Sequence, residues 1–300
     1  MDEAGKKRKV LLQEVGPRDG LQNEPTILRP EVRAGLIDQL SRAGLARIQI
    51  GSFVSPAKVP QMAGTDRIWR LINKSDQVRF SVLVLNERGL LDAAEAGVQH
   101  MEVYVSASET HSMKNSNASV DSSTAAACRI IDKSHELGLT VTAGVMCAFG
   151  CFYEGPVSTD SVLKILDRLA EHKPVEFGLA DTTGMAYPES IRRMIGSLTG
   201  LIDLDQIALH LHDTRGMGYA NLSEALQMGV RRFDSSVGAL GGCPFIPGAK
   251  GNIATERAVE IIESMEFETG VDLSAILEIR NKLGVLLGKN LPSKTNDLAS

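Results

Sequence analysis

The 300-residue sequence lacks the features that mark several special classes of protein. No stretch approaches the roughly 20 consecutive apolar residues that cross a bilayer, so no membrane partner is expected. Its four cysteines, at positions 128, 147, 151 and 243, are too few and too scattered for a disulfide-stabilised secreted scaffold. Basic residues are not in excess either, because 32 Lys and Arg face 37 Asp and Glu, for a formal charge of −5. This balance argues against a nucleic-acid partner.

The two ends of the sequence also lack targeting signals. The opening MDEAGKKRKV has acidic residues near its tip and no apolar core, unlike a secretory signal or an acid-poor transit peptide. The closing KNLPSKTNDLAS is a polar tail without a peroxisomal tripeptide. The four scattered cysteines are expected to be reduced thiols. Together with the absence of targeting signals, they predict a soluble cytoplasmic protein.

Apolar, β-branched runs alternate with helical patterns along the chain at intervals of about thirty residues. We count eight such runs, which span residues 10–15, 47–53, 79–85, 100–107, 140–149, 175–181, 206–213 and 231–240. Helix candidates between them cover residues 30–44, 87–97, 119–138, 158–172, 188–198 and 219–229, and several open at proline or serine. The GxGxxG turn of a doubly wound sheet is missing. The pattern therefore predicts an α/β protein with a (β/α)₈ TIM barrel.

We expect one domain over residues 1–300. The barrel is predicted over about residues 8–265, followed by extra C-terminal helices over about 266–290 and then the polar tail.

Chemically capable side chains follow the first and seventh predicted strands. Arg18 and Asp19 come directly after VLLQEV, within the motif EVGPRDGLQNE. His210 and His212 lie two residues apart in LHLHD, and period-two alternation on a strand would turn both rings to one face. Asp19 and the two imidazoles are ligands that suit a divalent cation.

A glycine-rich motif after the eighth predicted strand, GGCPFIPGAKGN, carries Cys243 and Asn252. Catalytic groups of TIM barrels lie at the C-terminal ends of strands and in the loops that follow. Barrel closure places strand eight beside strand one, so we expect Cys243 and Asn252 to lie near Arg18 and Asp19. The amide of Asn252 would add a fourth metal ligand.

Each of these residues has an ordinary structural alternative. Asp19 in PRDG is a good turn residue, and a His-x-His pair on a strand can be hydrogen-bonded core or rim. Asn252 could cap the helix that opens at IATERAVEII, and Cys243 could be a small buried apolar side chain. Their joint placement at one end of one barrel favours the metal site.

Long motifs resemble those of the 3-hydroxy-3-methylglutaryl-CoA lyase family, from about Val10 to Val285. They are EVGPRDGLQNE, GSFVSPAKVPQM, LHLHDT and GGCPFIPGAKGN. The resemblance implies a metal-dependent TIM-barrel lyase that forms a homodimer. It implies that Mg²⁺ or Mn²⁺ is held by Asp19, His210, His212 and Asn252, that Arg18 polarises the substrate and that Cys243 is the catalytic thiol of a mobile loop. It also implies that Lys114 and Asn115, in SETHSMKNSN, lie in the region that meets coenzyme A.

The sequence departs from the family pattern at three positions. Gln49 stands where the family has a glutamate on strand two, in the substrate-binding region beside Arg18. An amide keeps one acceptor for Arg18 but forfeits the charge, which predicts a loss of about ten- to a hundredfold if the glutamate only orients Arg18. Phe152 and Arg215 differ from the family on predicted rim loops. These differences bear on the substrate more than on the reaction type.

The predicted activity is cleavage of 3-hydroxy-3-methylglutaryl-CoA, an acyl-CoA, into acetyl-CoA and acetoacetate with a divalent metal cation. Three alternatives stay open: a related 3-hydroxyacyl-CoA lyase, a Claisen-type synthase or aldolase of the same barrel family, and a catalytically weak acyl-CoA-binding homologue. Mixed nitrogen and oxygen ligands do not rank Mg²⁺ above Mn²⁺, Co²⁺ or Zn²⁺.

Overall fold

Eight parallel strands close into a barrel in sequence order, and the computed structural model describes residues 7–241 and 251–291. The strands are β1 (Leu11–Glu14), β2 (Arg47–Phe53), β3 (Arg79–Val84), β4 (His100–Ser106), β5 (Thr140–Met146), β6 (Glu176–Ala180), β7 (Ile207–His210) and β8 (Arg232–Ser235). Strand β1 pairs with β2 on one side and with β8 on the other, which closes the sheet. The predicted (β/α)₈ barrel is confirmed.

Helices follow the strands and cover the outside of the barrel. They are α1 (Pro30–Arg42), α2 (Thr65–Leu71), α3 (Glu87–Ala96), α4 (Glu109–Ser116), α5 (Val120–Glu136), α6 (Thr159–Ala170), α7 (Pro188–Leu198), α8 (Gly218–Gln227), α9 (Thr255–Ser264) and α10 (Leu273–Leu287). The six predicted helices between the strands and the helix predicted at IATERAVEII are present, and the short helices α2 and α4 were not predicted. The described part of the C-terminal region contains one helix, α10, where several were expected. Among the described residues, no helix is long and apolar enough to span a bilayer.

Residues at the helix starts explain where several helices begin. Ser119 and Ser158 accept a hydrogen bond from a backbone N–H three residues later, which caps α5 and α6. Pro30 and Pro188 occupy the first position of α1 and α7, where the missing N–H costs nothing.

Alternation along each strand separates an apolar outer face from a polar interior. On β4, Met101, Val103 and Val105 belong to the hydrophobic core that packs against the helices. Glu102, between them, makes a hydrogen bond with Gln13 of β1, a strand that is not its neighbour in the sheet, so the two side chains meet inside the barrel. The interior is therefore the place where polar side chains from distant strands come together.

Three predicted strands extend too far at their C-terminal ends. Strand β5 ends at Met146, β7 at His210 and β8 at Ser235, rather than at residues 149, 213 and 240. After β8 the chain forms a 3₁₀ turn at Val237–Ala239 instead of continuing the sheet. The chain leaves the regular ladder here to form the loops of the C-terminal rim.

Candidate active site

A single π-helical turn, Gly16–Gly20, follows β1 and carries Arg18 and Asp19. The backbone N–H groups of Arg18 and Asp19 both donate to the Val15 carbonyl, at 3.0 and 2.7 Å. Single π-helical turns are rare and occur frequently at functional sites. Backbone hydrogen bonds therefore hold the residues of this predicted turn at the C-terminal rim.

The two histidines lie side by side, although only one of them is on the strand. His210 is the last residue of β7, whereas His212 lies beyond the strand and forms an isolated antiparallel bridge with Asn252. The prediction that strand alternation alone aligns both rings is thus corrected, because the bridge to Asn252 fixes the second ring. The ring centroids are 5.0 Å apart and the two Nε2 atoms are 3.0 Å apart.

The four predicted metal ligands converge on one point of the rim. We call them the ligand cluster: Asp19, His210, His212 and Asn252. Ligand atoms of Asp19, His210 and His212 all lie within 4.8 Å of one another. Asn252 donates from Nδ2 to Asp19 Oδ2 at 2.7 Å and to the Leu240 carbonyl at 2.9 Å. Its Oδ1 is buried and has no hydrogen-bond partner among the described residues. Asn252 does not cap α9, since the residue at that position is Ala254.

These atoms fit a divalent cation in both spacing and chemistry. Neighbouring ligands of an octahedral ion at roughly 2.1 Å lie about 3 Å apart, which matches the separation of the two Nε2 atoms. A carboxylate and two imidazole nitrogens lie together there, and the Asn252 amide, which contacts Asp19 through Nδ2, would add its oxygen by turning about its terminal bond. The buried Asn252 Oδ1 has no donor among the described residues, which is costly, and a cation bound by this oxygen would satisfy it.

Charges around the site keep Asp19 ionised. Burial alone would raise the pKa of Asp19, but the Arg18 guanidinium and the two imidazoles hold this pKa well below its usual range. Burial, followed by the neighbouring His210, lowers the pKa of His212 to about 3, so this ring is neutral near pH 7. An ionised carboxylate and a neutral imidazole are the forms that bind a metal.

Asp234 of β8 orients the first histidine. His210 Nδ1 lies 3.1 Å from Asp234 Oδ2, and a carboxylate only accepts, so Nδ1 donates and Nε2 faces the ligand cluster. Burial alone would lower the pKa of His210, but Asp234 and Asp19 raise this pKa above its usual value.

Arg18 lies beside the ligand cluster and donates hydrogen bonds to two side chains, Asp19 and Gln49. Its NH1 donates to Asp19 Oδ1 at 2.6 Å and its Nε donates to Gln49 Oε1. Gln49 is 1% exposed and precedes a β-bulge between Gln49 and Gly51 in the pairing of β2 with β3. Bulges commonly re-aim a side chain beside an active site. Gln49 therefore contacts Arg18, as predicted.

The loop predicted to carry the catalytic thiol, Cys243, begins at Gly241, which lies next to Asn252. Gly241 has a positive φ of 96°, and a Cβ on it would lie 2.4 Å from Asn252 Nδ2. Only glycine suits this position, because any side chain would displace Asn252. Cys243 lies outside the described residues.

The remaining predicted residues are all exposed side chains. Lys114 and Asn115 are exposed on α4, where Lys114 Nζ lies 5.0 Å from the centroid of the Tyr153 ring and Asn115 lines a cavity of about 180 Å³. Phe152 is half exposed and packs edge to face on Tyr153, and Arg215 is exposed.

Several buried polar residues of the site were not predicted from the sequence. Gln13, Glu102 and Asp234 lie inside the barrel, and Asp181 follows β6 with its pKa raised by burial to about 6. Their signal in the sequence is a polar residue within or directly after an apolar run. Asp181 Oδ1 accepts the N–H groups of Met185 and Ala186, whereas Oδ2 is buried without a hydrogen-bond partner in the described part of the chain.

Comparison with known proteins gives consistent relatives over nearly the whole chain. A hydroxymethylglutaryl-CoA lyase of Bacillus subtilis is 41% identical over 96% of this chain and 96% of its own length. An (R)-citramalyl-CoA lyase of Chloroflexus aurantiacus is 40% identical over 95% and 93% of the two chains.

Solved structures agree with these relatives. The crystal structure of a Bacillus subtilis HMG-CoA lyase superposes with a TM-score of 0.94 at 40% identity, over 98% of each chain. An HMG-CoA lyase of Acinetobacter baumannii, in complex with coenzyme A and 3-methylmalate, has a TM-score of 0.91 at 36% identity and covers 97% and 95% of the two chains. The HMGL-like family model matches residues 9–283. With this match, and with relatives about 40% identical over nearly their full length, the chain belongs to the HMGL-like family.

Proposed function

We propose that this protein is a divalent-metal-dependent carbon–carbon lyase that cleaves 3-hydroxy-3-methylglutaryl-CoA into acetyl-CoA and acetoacetate. One observation carries the proposal: Asp19, His210 and His212 converge beside Arg18, and the Asn252 amide contacts Asp19. The relatives named above as hydroxymethylglutaryl-CoA lyases support the same activity.

The four ligands would hold Mg²⁺ or Mn²⁺ at the rim of the barrel. When bound, such a cation supplies Lewis acidity that lowers the pKa of a coordinated alcohol. Asp234 holds His210 in the tautomer that presents Nε2, and the Asn252 amide anchors Asp19 from the other side. The protein's own residues thus keep the ligands in place.

Arg18 would stabilise the charge that develops during cleavage. The alcohol loses its proton, its oxygen becomes the ketone of acetoacetate, and the electrons of the broken carbon–carbon bond move onto the thioester as an enolate. A guanidinium stays charged and offers several donors, which suits a developing oxyanion. Because Arg18 is fixed by Gln49 and Asp19, it needs little reorganisation as the charge appears.

The enolate carbon must then take up a proton to give acetyl-CoA. The family resemblance assigns proton transfer to Cys243, in a loop that begins at the ligand-contacting Gly241. A thiol near a guanidinium and a metal cation has a lowered pKa and can exchange protons near neutral pH. The proton lost by the alcohol and the proton gained by the enolate balance, so the reaction consumes no co-reactant.

The acyl-CoA carrier would enter from the side of α4. Lys114 and Asn115 are exposed there and offer a cation and an amide to the phosphates or the pantetheine chain. The related Acinetobacter baumannii enzyme binds coenzyme A, which supports the same class of substrate here.

A second substrate deserves a direct test because the citramalyl-CoA lyase relative is nearly as similar as the hydroxymethylglutaryl-CoA lyase. Citramalyl-CoA has one methylene fewer between the carbinol carbon and the free carboxylate, and its cleavage would give acetyl-CoA and pyruvate. A pocket discriminates one methylene by only about 10- to 200-fold. The relatives named above are lyases, so a synthase or a purely binding protein is not favoured.

The proposal is tested by measuring acetyl-CoA release from both substrates with Mg²⁺ or Mn²⁺, and again after chelation. We expect 3-hydroxy-3-methylglutaryl-CoA to be cleaved with the higher kcat/KM, acetoacetate to appear in equal amount, and the chelator to abolish both. Cleavage of citramalyl-CoA with the higher kcat/KM would change the substrate and keep the reaction type. Release from neither substrate in the presence of metal would refute the lyase proposal.

We also infer a homodimer in the cytoplasm. The family resemblance supports the dimer, and cysteines 128, 147 and 151, which are buried and unpaired, support a reducing compartment. Light scattering after gel filtration checks the first inference, with a mass twice the 32.3 kDa of one chain as the expected result.

A further inference from the structure

A continuous line of buried hydrogen bonds crosses the barrel interior below the candidate active site. It begins at Arg18, passes through Gln49 to Glu102, and continues through Gln13 to Asp234. Glu102 and Gln49 are each 1% exposed. The line ends at a residue that orients His210, so it connects the two sides of the site through the barrel.

Hydrogen-bond chemistry fixes the direction of the first two steps. Arginine only donates, so Gln49 must turn Oε1 toward Arg18 and Nε2 toward Glu102. Gln49 Nε2 donates to Glu102 Oε2 at 2.6 Å. Glu102 Oε1 accepts from Ser81 Oγ at 2.5 Å and from Gln13 Nε2 at 3.1 Å. Three donors thus converge on the two oxygens of one carboxylate, so Glu102 accepts hydrogen bonds at both oxygens.

From these contacts we propose that Glu102 is a positioning residue that acts on Arg18 through Gln49. Glu102 supplies, from the fourth strand, the carboxylate that position 49 lacks. Burial and Asp234 raise the pKa of Glu102 to about 7, and the donor contacts, with the charge of Arg18, favour its ionised form. The inference rests on the role of Arg18 in the proposed function. Gln49 is on this view not a weakened glutamate but the connecting member of a glutamine–glutamate pair.

The second carboxylate near Arg18 does not replace this function. Asp19 also accepts from Arg18, but its other oxygen lies in the ligand cluster, 4.0 Å from His210 Nε2. A bound cation would draw charge from Asp19. Glu102 faces the barrel interior, away from the cation, and stays available to Arg18.

The side chains of Gln49 and Glu102 can be exchanged between the two positions without loss of a hydrogen bond in this line. In the double variant Q49E/E102Q, the carboxylate at position 49 accepts directly from Arg18, and the amide NH₂ at position 102 donates to that carboxylate. The amide oxygen at position 102 accepts from Ser81 and Gln13, as Glu102 Oε1 does now. The number of charges is unchanged.

Neither single substitution has this property. In Q49E two carboxylates lie within hydrogen-bonding distance of each other, and buried like charges so close cannot both be ionised. In E102Q the charge is lost, and an amide NH₂ faces another N–H donor unless Gln13 turns and withdraws its donor from Asp234. Both single variants should therefore disturb Arg18 even where the protein folds normally.

The experiment measures kcat, KM and Arg18 mobility in the wild type, in both single variants and in the double variant. Arg18 mobility is the solvent-exchange rate of its Nε–H in protein labelled with [¹⁵N]arginine, assigned with R18K. We expect kcat to fall about tenfold or more in each single variant, with KM changed much less, and Arg18 exchange to become faster. The double variant should recover kcat and slow exchange to within about threefold of the wild type.

A matched control removes a buried carboxylate at the other end of the barrel. Glu176→Gln disrupts an arginine cluster without contact to Arg18, and we expect the kcat and the Arg18 exchange of its folded fraction to stay near those of the wild type. Thermal unfolding midpoints of all variants show whether the protein is folded at the assay temperature.

Two results would overturn the proposal. One is a double variant as impaired as the worse single variant, and the other is E102Q with normal kcat and normal Arg18 exchange. The exchange readout does not need catalysis. If the wild type cleaves no substrate, the proposed function fails, while reciprocal changes in Arg18 exchange still support the positioning of Arg18 by Glu102.

Discussion

Both ends of the barrel interior carry a buried cluster of charged side chains, and the two clusters balance their charges differently. At the N-terminal end, Arg47, Arg79 and Arg232 all donate to Glu176. Each of these four is the first residue of its strand, so we call them the lower cluster. At the C-terminal end, Asp19, His210, His212 and Asn252 form the ligand cluster.

The lower cluster contains its own counter-ions. Three guanidinium groups surround one carboxylate, and donors meet an acceptor at each contact. In the ligand cluster, by contrast, a buried acceptor, Asn252 Oδ1, has no partner among the described residues, and the Nε2 atoms of the two histidines lie 3.0 Å apart. A buried acceptor without a donor needs an explanation, and a bound cation would supply one, whereas the unpartnered atoms of the lower cluster, Nε of Arg47 and Arg79, are donors. The comparison supports a structural role for the lower cluster and is consistent with the cation proposed for the ligand cluster.

Removal of a ligand should produce the largest effect on activity. His212→Ala takes one nitrogen from the ligand cluster, and we expect kcat to fall by about 1000-fold or more because the substrate alcohol is no longer activated. Stability of the chelated protein should change little, since no contact of the lower cluster is touched. Steady-state kinetics and urea unfolding measure the two quantities. Normal kcat in this variant would mean that the histidines are ordinary rim residues.

A substitution in the lower cluster should reduce stability and leave activity nearly unchanged. Glu176→Gln leaves three buried guanidinium groups without their carboxylate, and breaking a buried ion pair costs about 3–5 kcal/mol of unfolding free energy. The kcat of the folded fraction should stay within about twofold, because this cluster is remote from Arg18. Urea unfolding with matched kinetics checks this prediction. A large loss of kcat without a loss of stability would break the division between the two ends.

Arg18 should affect catalysis without affecting metal binding. Arg18→Lys keeps the charge but loses the planar set of donors that contacts Gln49 and Asp19, so kcat should fall by about 100- to 1000-fold. Mn²⁺ should still bind, because all four ligands remain. Kinetics combined with a Mn²⁺ titration would separate the two roles, and loss of Mn²⁺ binding would assign Arg18 to the metal site instead.

The decrease of stability at acid pH is the smallest and most gradual of the expected effects. His100, the first residue of β4, is buried between Thr140 and Thr142, and burial, followed by the charge of Arg47, lowers its pKa to about 3. A folded pKa below the unfolded value of about 6.5 gives stability that is complete above pH 6.5 and is lost as the pH falls.

The expected slope from His100 is about 1.4 kcal/mol of unfolding free energy per pH unit between about pH 6 and pH 4. His100→Gln should remove this slope, with or without metal, because the lower end does not bind the cation. Urea unfolding at several pH values measures it. An unchanged slope in the variant would show that another group controls the acid response.

The sequence predicted the barrel and the ligand cluster because both depend on local patterns. Apolar runs recur about every thirty residues between helical patterns, and each predicted ligand lies at the end of a strand or in the segment after it: Asp19, His210, His212 and Asn252. The end of β7 at His210 was not predictable, since the bridge between His212 and Asn252 is a contact between residues 40 positions apart.

The interior line from Arg18 to Asp234 was also missed. Gln13, Glu102 and Asp234 are on β1, β4 and β8, and which of them meet depends on the register and diameter of the closed barrel. A sequence shows that these side chains are polar and lie in apolar strands, but it does not show their partners. The sequence alone therefore presents Gln49 as the loss of a charge, whereas the structure places the Glu102 carboxylate in contact with it.

The most direct test of the account is a Mn²⁺ titration of chelator-treated protein, followed by electron paramagnetic resonance. The account predicts one tightly bound Mn²⁺ per chain in the wild type and in Glu176→Gln, and none in the double variant His210→Ala/His212→Ala. Absence of binding in the wild type, or equal binding in the double variant, would contradict the claim that the ligand cluster holds a cation.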